Sequence, residues 1–186
     1  MTSGDLSEDR ATANLGTGPF AGYGRAGAPL GGYAVLVLLF NALFGGLWLV
    51  ARSLGRPMPE RVHAADLLVL GVATHKLSRL IAKDSVTSVL RAPFAAYEGP
   101  AGPSEVNEQP RGEGIRLAIG ELITCPFCIG QWIAALLGSG LVLAPRLTRL
   151  VSAVFAIASL ADFLHFGYEA TRKFSEQPTV SDEGAS

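Results

Sequence analysis

The chain of 186 residues is poor in charge and in cysteine. Only 17% of its residues are charged, whereas a soluble domain carries about 25%. Its net charge of −1 offers no general attraction for nucleic acid, and two cysteines cannot build the disulfide framework of a small secreted domain. No basic stretch directly precedes an apolar run near the start, so we predict no cleavable signal peptide. Because 49% of the residues are hydrophobic, the composition favours a membrane protein.

Four apolar segments have the length of a membrane-crossing helix. Residues 33–51 contain no charge and have aromatic residues near both ends, as membrane spans do. The other three segments are residues 64–82, 125–144 and 150–168. The second could instead lie half-buried at the membrane surface, because cationic side chains occupy its last turns. We therefore predict an all-α, polytopic integral membrane protein, with a four-transmembrane-helix bundle as the architecture.

The remaining segments are polar or rich in Gly and Pro. Residues 1–32 and 175–186 show no helical or strand period and are predicted to be disordered tails. Residues 99–114 combine Gly, Pro and charged residues and are predicted to be a flexible loop. The resulting division places an extra helix at 33–51 ahead of a membrane domain at 64–168.

If all four segments cross the membrane, their directions alternate, and the third begins on the side where the second and fourth end. This arrangement gathers the polar residues of the spans at one depth. We predict a cluster that contains His75, Lys76, Arg79, Glu121, Cys125, Cys128, Asp162 and His165. Asp162 lies several residues inside its span and needs a partner there, for which Lys76 and Arg79 are the candidates.

The distribution of Lys and Arg predicts the orientation. More of them lie in the tails and the central loop than on the opposite side. The positive-inside rule therefore favours both termini and the two cysteines in the cytoplasm, in a multi-pass protein of the cell membrane. Four cations form a basic side that suits a phospholipid headgroup or phosphate site and is more often typical of ordinary anchoring at the membrane surface. They are Lys76, Arg79, Lys83 and Arg91.

The two cysteines have the spacing C-x-x-C, which permits three roles. At the start of a helix, the positive end of the dipole favours a thiolate, and residues three apart can form a disulfide. A zinc site would need two more ligands, from His75 and His165 or from the cysteines of a second copy. The third role is that of small, soft side chains packed at a helix start.

Three stretches of the sequence resemble a known family. They are Ala73-Thr-His-Lys-Leu-Ser-Arg-Leu-Ile81 with Asp84, Leu90-Arg-Ala-Pro-Phe94, and Gly120-Glu-Leu-Ile-Thr-Cys-Pro-Phe-Cys-Ile-Gly-Gln-Trp132. The combination is similar to the bacterial membrane family called domain of unknown function 1360 (DUF1360), which includes small sporulation-associated membrane proteins. The resemblance covers about residues 64–168 and implies an integral membrane protein without an established activity.

The sequence favours a non-enzymatic membrane component that acts through contacts with lipid, with a second copy or with another membrane protein. Neither a phosphate-binding glycine loop nor a serine-nucleophile motif is present in it. No cofactor is expected, with zinc as the one metal that the thiols suit, and no nucleic-acid partner. The alternative is a thiol redox or metal-dependent membrane protein that uses Cys125 and Cys128. A small transporter that works as a dimer is a third hypothesis.

Overall fold

The computed structural model of the chain describes residues 28–57 and 61–176. Within these residues the fold is mainly helical, with four long helices. They are α1 (Leu30–Ser53), α2 (Ala64–Ala82), α5 (Pro126–Leu143) and α6 (Pro145–Glu176). The connection between α2 and α5 holds the short helix α3 (Ser88–Arg91), the strands β1 (Ala95–Gly102) and β2 (Glu105–Pro110), and the helix α4 (Gly114–Thr124). The predicted helical fold is confirmed, with a small sheet in addition.

The contacts between the long helices fix their directions. Asp66 and Lys76 of α2 meet Arg149 and Asp162 of α6, in the same order along both helices, so α2 and α6 run parallel. The chain reverses direction at Ala144, so α6 runs antiparallel to α5. The helices therefore alternate in direction, as the sequence analysis assumed for four crossings.

The centre of the bundle lies where α2 packs between α5 and α6. Leu70 and Ala73 of α2 are buried against Ile133 and Leu137 of α5, and Phe155 of α6 packs on this cluster. The turn between α5 and α6 is close-packed because Gly140 lies against Thr148: a Cβ at position 140 would come within 2.5 Å of the Thr148 hydroxyl oxygen.

Helix α1 packs on α4 and α5 through two different surfaces. At its start, Gly32 lies against Ala118 so closely that a Cβ would be 2.7 Å from the Ala118 Cβ. About two and three helical turns further along α1, Phe40 and Phe44 contact the Trp132 ring of α5, with ring centroids 5.2 Å and 6.2 Å from that of Trp132. These contacts place the start of α1 at the end of the bundle where α5 begins.

Strands β1 and β2 form an antiparallel hairpin where the sequence analysis predicts a flexible loop. Ser104 makes the turn with a φ of 63°. The hairpin is tied to the end of α2, because Val106 N–H donates to the Lys83 carbonyl and Ser85 N–H donates to the Ser104 carbonyl. Gly120 of α4 passes the base of the hairpin so closely that a Cβ would be 2.6 Å from the carbonyl oxygen of Phe94, just before β1, and 3.1 Å from the Cβ of Pro110, at the end of β2. Residues 99–114 are therefore a folded, docked element, not a free connection.

The helix ends differ from the predicted ones by a few residues. Helix α1 begins three residues before 33 and ends two residues after 51. Helix α6 begins at Pro145, five residues before the predicted start at 150, and ends at Glu176, eight residues after the predicted end at 168. The predicted tails at 1–32 and 175–186 lie outside the described residues, apart from the helix ends and residues 28 and 29.

The surface of the bundle carries many large apolar side chains. In α6, for example, Ile157, Phe163 and Leu164 are each more than 60% exposed. Among the described residues, three helices are long and apolar enough to cross a membrane: α1, α5 and α6. Helix α2 is not one of them, since Asp66, Lys76 and Arg79 interrupt its apolar sequence.

Candidate functional site

The two cysteines lie at the break between α4 and α5. Helix α4 ends at Thr124, and Cys125 has an extended backbone (φ −102°, ψ 109°) that turns the chain into α5. Pro126 occupies the first helical position, where its missing N–H costs no hydrogen bond. The Cys125 sulfur accepts a hydrogen bond from the Cys128 N–H at 3.3 Å, so this thiol caps the helix. Both residues are free thiols, and Cys128 is exposed.

Glu121 lies one turn before Cys125 and joins α4 to α1. Its carboxylate accepts a hydrogen bond from the Tyr33 hydroxyl, across 88 positions of sequence. Thr124, between Glu121 and the capping thiol, is buried and donates its hydroxyl hydrogen to the Gly120 carbonyl at 2.8 Å. The hydrogen bond of Glu121 therefore fixes the start of α1 beside the cysteines.

Lys76 and Asp162 form an ion pair between α2 and α6. The Lys76 Nζ is 2.5 Å from the nearer Asp162 oxygen, and the two side chains are 24% and 44% exposed. The structure thus confirms that Asp162 has a cationic partner on α2, and it selects Lys76 from the two candidates.

Arg79 binds a different carboxylate. Its guanidinium donates to both oxygens of Glu105 at the start of β2, at 2.5–3.0 Å. The pair holds the hairpin against the end of α2. Arg79 is therefore bound to a residue outside the predicted cluster, in the segment predicted to be a loop.

The predicted cluster is divided into separate contacts. Lys76 and Asp162 form one, Glu121 with Tyr33 forms another beside the thiols, and His75 and His165 are exposed. In the described part of the chain, no three His, Cys, Asp or Glu side chains are placed to hold a metal ion together. A zinc ion on Cys125 and Cys128 would therefore need further ligands, for example the thiols of a second copy.

Arg91 is the polar centre that the sequence analysis missed. Its side chain is fully buried, and its guanidinium makes an ion pair with Glu108 of β2, which is 7% exposed. Its other N–H groups donate to the carbonyls of Ile81 and Asp84 at 2.5 and 2.8 Å, and to the hydroxyls of Thr87 and Ser88 at 2.7 and 3.2 Å. One side chain therefore joins the end of α2, helix α3 and the hairpin.

The capping role of Cys125 predicts different results for two substitutions. Cys125→Ser keeps an acceptor for the Cys128 N–H, and we expect stability close to that of the unchanged protein. Cys125→Ala removes the cap, and we expect a loss of about 1 kcal/mol. Thermal unfolding in detergent measures both, with Cys128→Ala as the control because its side chain caps nothing. Equal losses for Cys125→Ser and Cys125→Ala would contradict the capping role.

Comparisons with known proteins bear on the same region. The model of a family described as "Protein of unknown function (DUF1360)" matches residues 69–168, from the first third of α2 to the last third of α6. No solved structure matches the chain.

Two proteins of Bacillus subtilis (strain 168) are similar over about half of this chain. The protein named "Sporulation protein YjcA" is 28% identical over 106 residues, which are 55% of this chain and 90% of that protein. "UPF0713 protein YngL" is 26% identical over 102 residues, 53% of this chain and 75% of that protein. Since the family match contains Lys76, Arg91, both cysteines and Asp162 within one segment that covers more than half of the sequence, the chain belongs to the DUF1360 family.

Proposed function

We propose that the protein crosses the cell membrane four times and acts without catalysis of its own, through contacts with lipid, with a second copy or with another membrane protein. The observation that carries the proposal is the pairing of every charged side chain on α2. Asp66 binds Arg149 at 2.8 Å, Lys76 binds Asp162 at 2.5 Å, and Arg79 binds Glu105 at 2.5 Å.

Because each of these charges is paired, they do not prevent α2 from lying in a membrane. An ionised side chain inside a bilayer is tolerated when it faces the helix bundle and meets an opposite charge. Lys76 meets its partner within the bundle, whereas Asp66 lies in the first turn of α2 and Arg79 in the last. With 19 residues, α2 has the length of about 28 Å that a crossing requires.

The polar groups near the thiols support a structural role. Cys125 caps α5, Glu121 is bonded to Tyr33, and Arg79 is bonded to the hairpin. The bonds of Glu121 and Arg79 each join two elements of the fold, which is what a scaffold requires, and the cap fixes where α5 begins. The proposal includes no cofactor and no nucleic-acid partner. The similarity to a protein named for sporulation makes spore formation the first process in which to look for a phenotype.

Four crossings require α2 to cross the membrane, and this is tested by the side on which a residue before α2 and a residue after it lie. Leu54 follows α1 and Asn107 lies in the hairpin, both exposed, and α2 is the one long helix between them in the described part of the chain. We make Leu54→Cys and Asn107→Cys separately in a Cys125→Ser/Cys128→Ser background and label cells with a membrane-impermeant maleimide. With Asn107 and the termini in the cytoplasm, Leu54→Cys reacts in intact cells and Asn107→Cys reacts only after the cells are opened. Reaction of both positions from the same side would show that α2 does not cross.

One observation favours thiol chemistry as a second candidate function. Cys128 is exposed at the start of α5 and lies one turn from Cys125, so an oxidant or a metal ion has access to it. The Cys125→Ser/Cys128→Ser variant keeps the cap and removes both thiols. A redox or metal role predicts complete loss of the phenotype with unchanged protein abundance, whereas a scaffold role predicts that both are retained. Measuring zinc in the purified protein tests the metal role separately.

A further inference from the structure

In the middle of the connector formed by residues 85–94, three polar side chains (Thr87, Ser88 and Arg91) lie inside and three apolar side chains lie outside. Val86, Val89 and Leu90 are 82%, 75% and 62% exposed. Their spacing of three and four positions puts Val86, Val89 and Leu90 on one face of the helical turn. On the opposite face, Thr87 is half-buried and Arg91 is fully buried. A connector in water has the reverse arrangement, so this outer face is built to meet an apolar medium.

Side chains also donate to several of the backbone carbonyls around this connector. Arg111 donates to the Ala92 carbonyl, and Arg116 donates twice to the Pro93 carbonyl, at 2.7 and 3.0 Å. At the other end, Arg91 donates to the Asp84 carbonyl at 2.8 Å, and the Thr87 hydroxyl donates to the Leu80 carbonyl. Oxygens that water would satisfy at a wet surface are bonded to side chains of the protein here.

The side-chain hydrogen bonds to these carbonyls favour lipid over a partner protein as the surroundings of the connector. Hydrocarbon offers no hydrogen bond, so irregular backbone enters it only when its polar groups are satisfied by the protein itself. A partner protein could supply donors of its own and would not require the cations of Arg111 and Arg116 for this purpose. The connector also starts three residues after Ala82, the last residue of α2, and therefore at the depth where α2 leaves the bilayer.

We infer that the connector is a membrane-inserted anchor, with Val86, Val89 and Leu90 at the boundary between lipid headgroups and acyl chains. Lipid covers this apolar face, and no second protein is needed to cover it. Arg111 and Arg116 are exposed and lie beside the carbonyls they bind, at the depth where long cationic side chains reach headgroup phosphates. The inference rests on the proposed membrane crossing, because α2 must bring the connector to the bilayer surface.

Depth-dependent quenching of a fluorophore tests the anchor. Val89→Cys is made in the Cys125→Ser/Cys128→Ser background, labelled with a small environment-sensitive fluorophore and reconstituted into phosphatidylcholine vesicles. Lipids brominated close to the headgroup are expected to quench this probe about twofold more than lipids brominated near the chain ends, since anchors of this kind insert by about 5–10 Å. Val86→Cys serves as a second position if Val89→Cys is poorly made.

Two control positions separate the anchor from the membrane crossing. Ile157, exposed on α6, is 12 residues from Pro145 and is expected to be quenched most by the deep bromines. Asn107, on the hairpin, is expected to respond only to iodide in the water. A probe at position 89 that responds to iodide alone, while position 157 still responds to deep bromines, overturns the anchor and leaves the crossing intact. A probe at position 89 shielded from both quenchers shows a protein partner and also overturns the anchor. Loss of lipid quenching at position 157 overturns the proposed crossing itself.

Discussion

Arg91→Met is expected to destabilise the protein by about 3–5 kcal/mol, the range for breaking a buried ion pair by removing one partner. Methionine fills most of the space but leaves the buried carboxylate of Glu108 without its cation. The substitution also leaves the carbonyls of Ile81 and Asp84 without the donors that Arg91 provides. Thermal or denaturant unfolding in a mild detergent measures the loss. We expect the hairpin to detach from the end of α2 first, which limited proteolysis within residues 95–110 would detect.

The chain contains a matched control for this prediction. Arg79 is also paired with a glutamate of β2, but its side chain is 45% exposed. An ion pair at such a surface contributes about 1 kcal/mol or less, so Arg79→Met should have a small effect. Arg91→Met/Glu108→Leu removes both buried charges and is expected to recover part of the lost stability. Similar losses for Arg79→Met and Arg91→Met would contradict the central role of Arg91.

The sequence predicted the long helices well because their signal is local. Runs of apolar residues mark the ends of α1 and α5 within three positions, whereas α6 extends five residues before and eight residues beyond its predicted span. The assumed alternation of the helices then predicted which helix ends lie on the same side, and it offered Lys76 and Arg79 as partners of Asp162, of which the structure selects Lys76. What could be predicted is therefore the part of the fold that depends on hydrophobic length and chain direction.

The hairpin could not be predicted because its signals conflict. Gly99, Pro100 and Gly102 favour a loop, and the register between the strands is irregular at these positions. Val106 is the one buried residue of β2. The hairpin is held by pairing with residues 83–85 and by Glu105 and Glu108, contacts that only the folded chain reveals. Since the partner of Arg91 lies in this hairpin, the sequence assigned Arg91 to the surface and the structure buries it.

The second large effect is expected from Lys76→Met. The substitution leaves the Asp162 carboxylate without its cation between α2 and α6. A charged side chain near the middle of a crossing helix costs about 2.5–3.5 kcal/mol when the protein does not compensate for it. We expect a loss of stability of this size in lipid nanodiscs and a lower amount of protein in the membrane. Asp162→Leu should have a comparable effect, because it leaves Lys76 unpaired.

The double variant Lys76→Met/Asp162→Leu distinguishes a structural role of the ion pair from a role in moving a proton or an ion. If the pair only aligns α2 with α6, replacing both charges by apolar side chains restores stability and phenotype together. If the charges take part in moving a proton or an ion, the double variant is as stable as the unchanged protein and the phenotype is lost. Arg149→Met provides the control, since the Asp66–Arg149 pair lies at the ends of the same two helices with Arg149 53% exposed. A loss of stability from Arg149→Met equal to that from Lys76→Met would show that depth in the membrane does not determine the cost, and α2 would then lie outside the bilayer core.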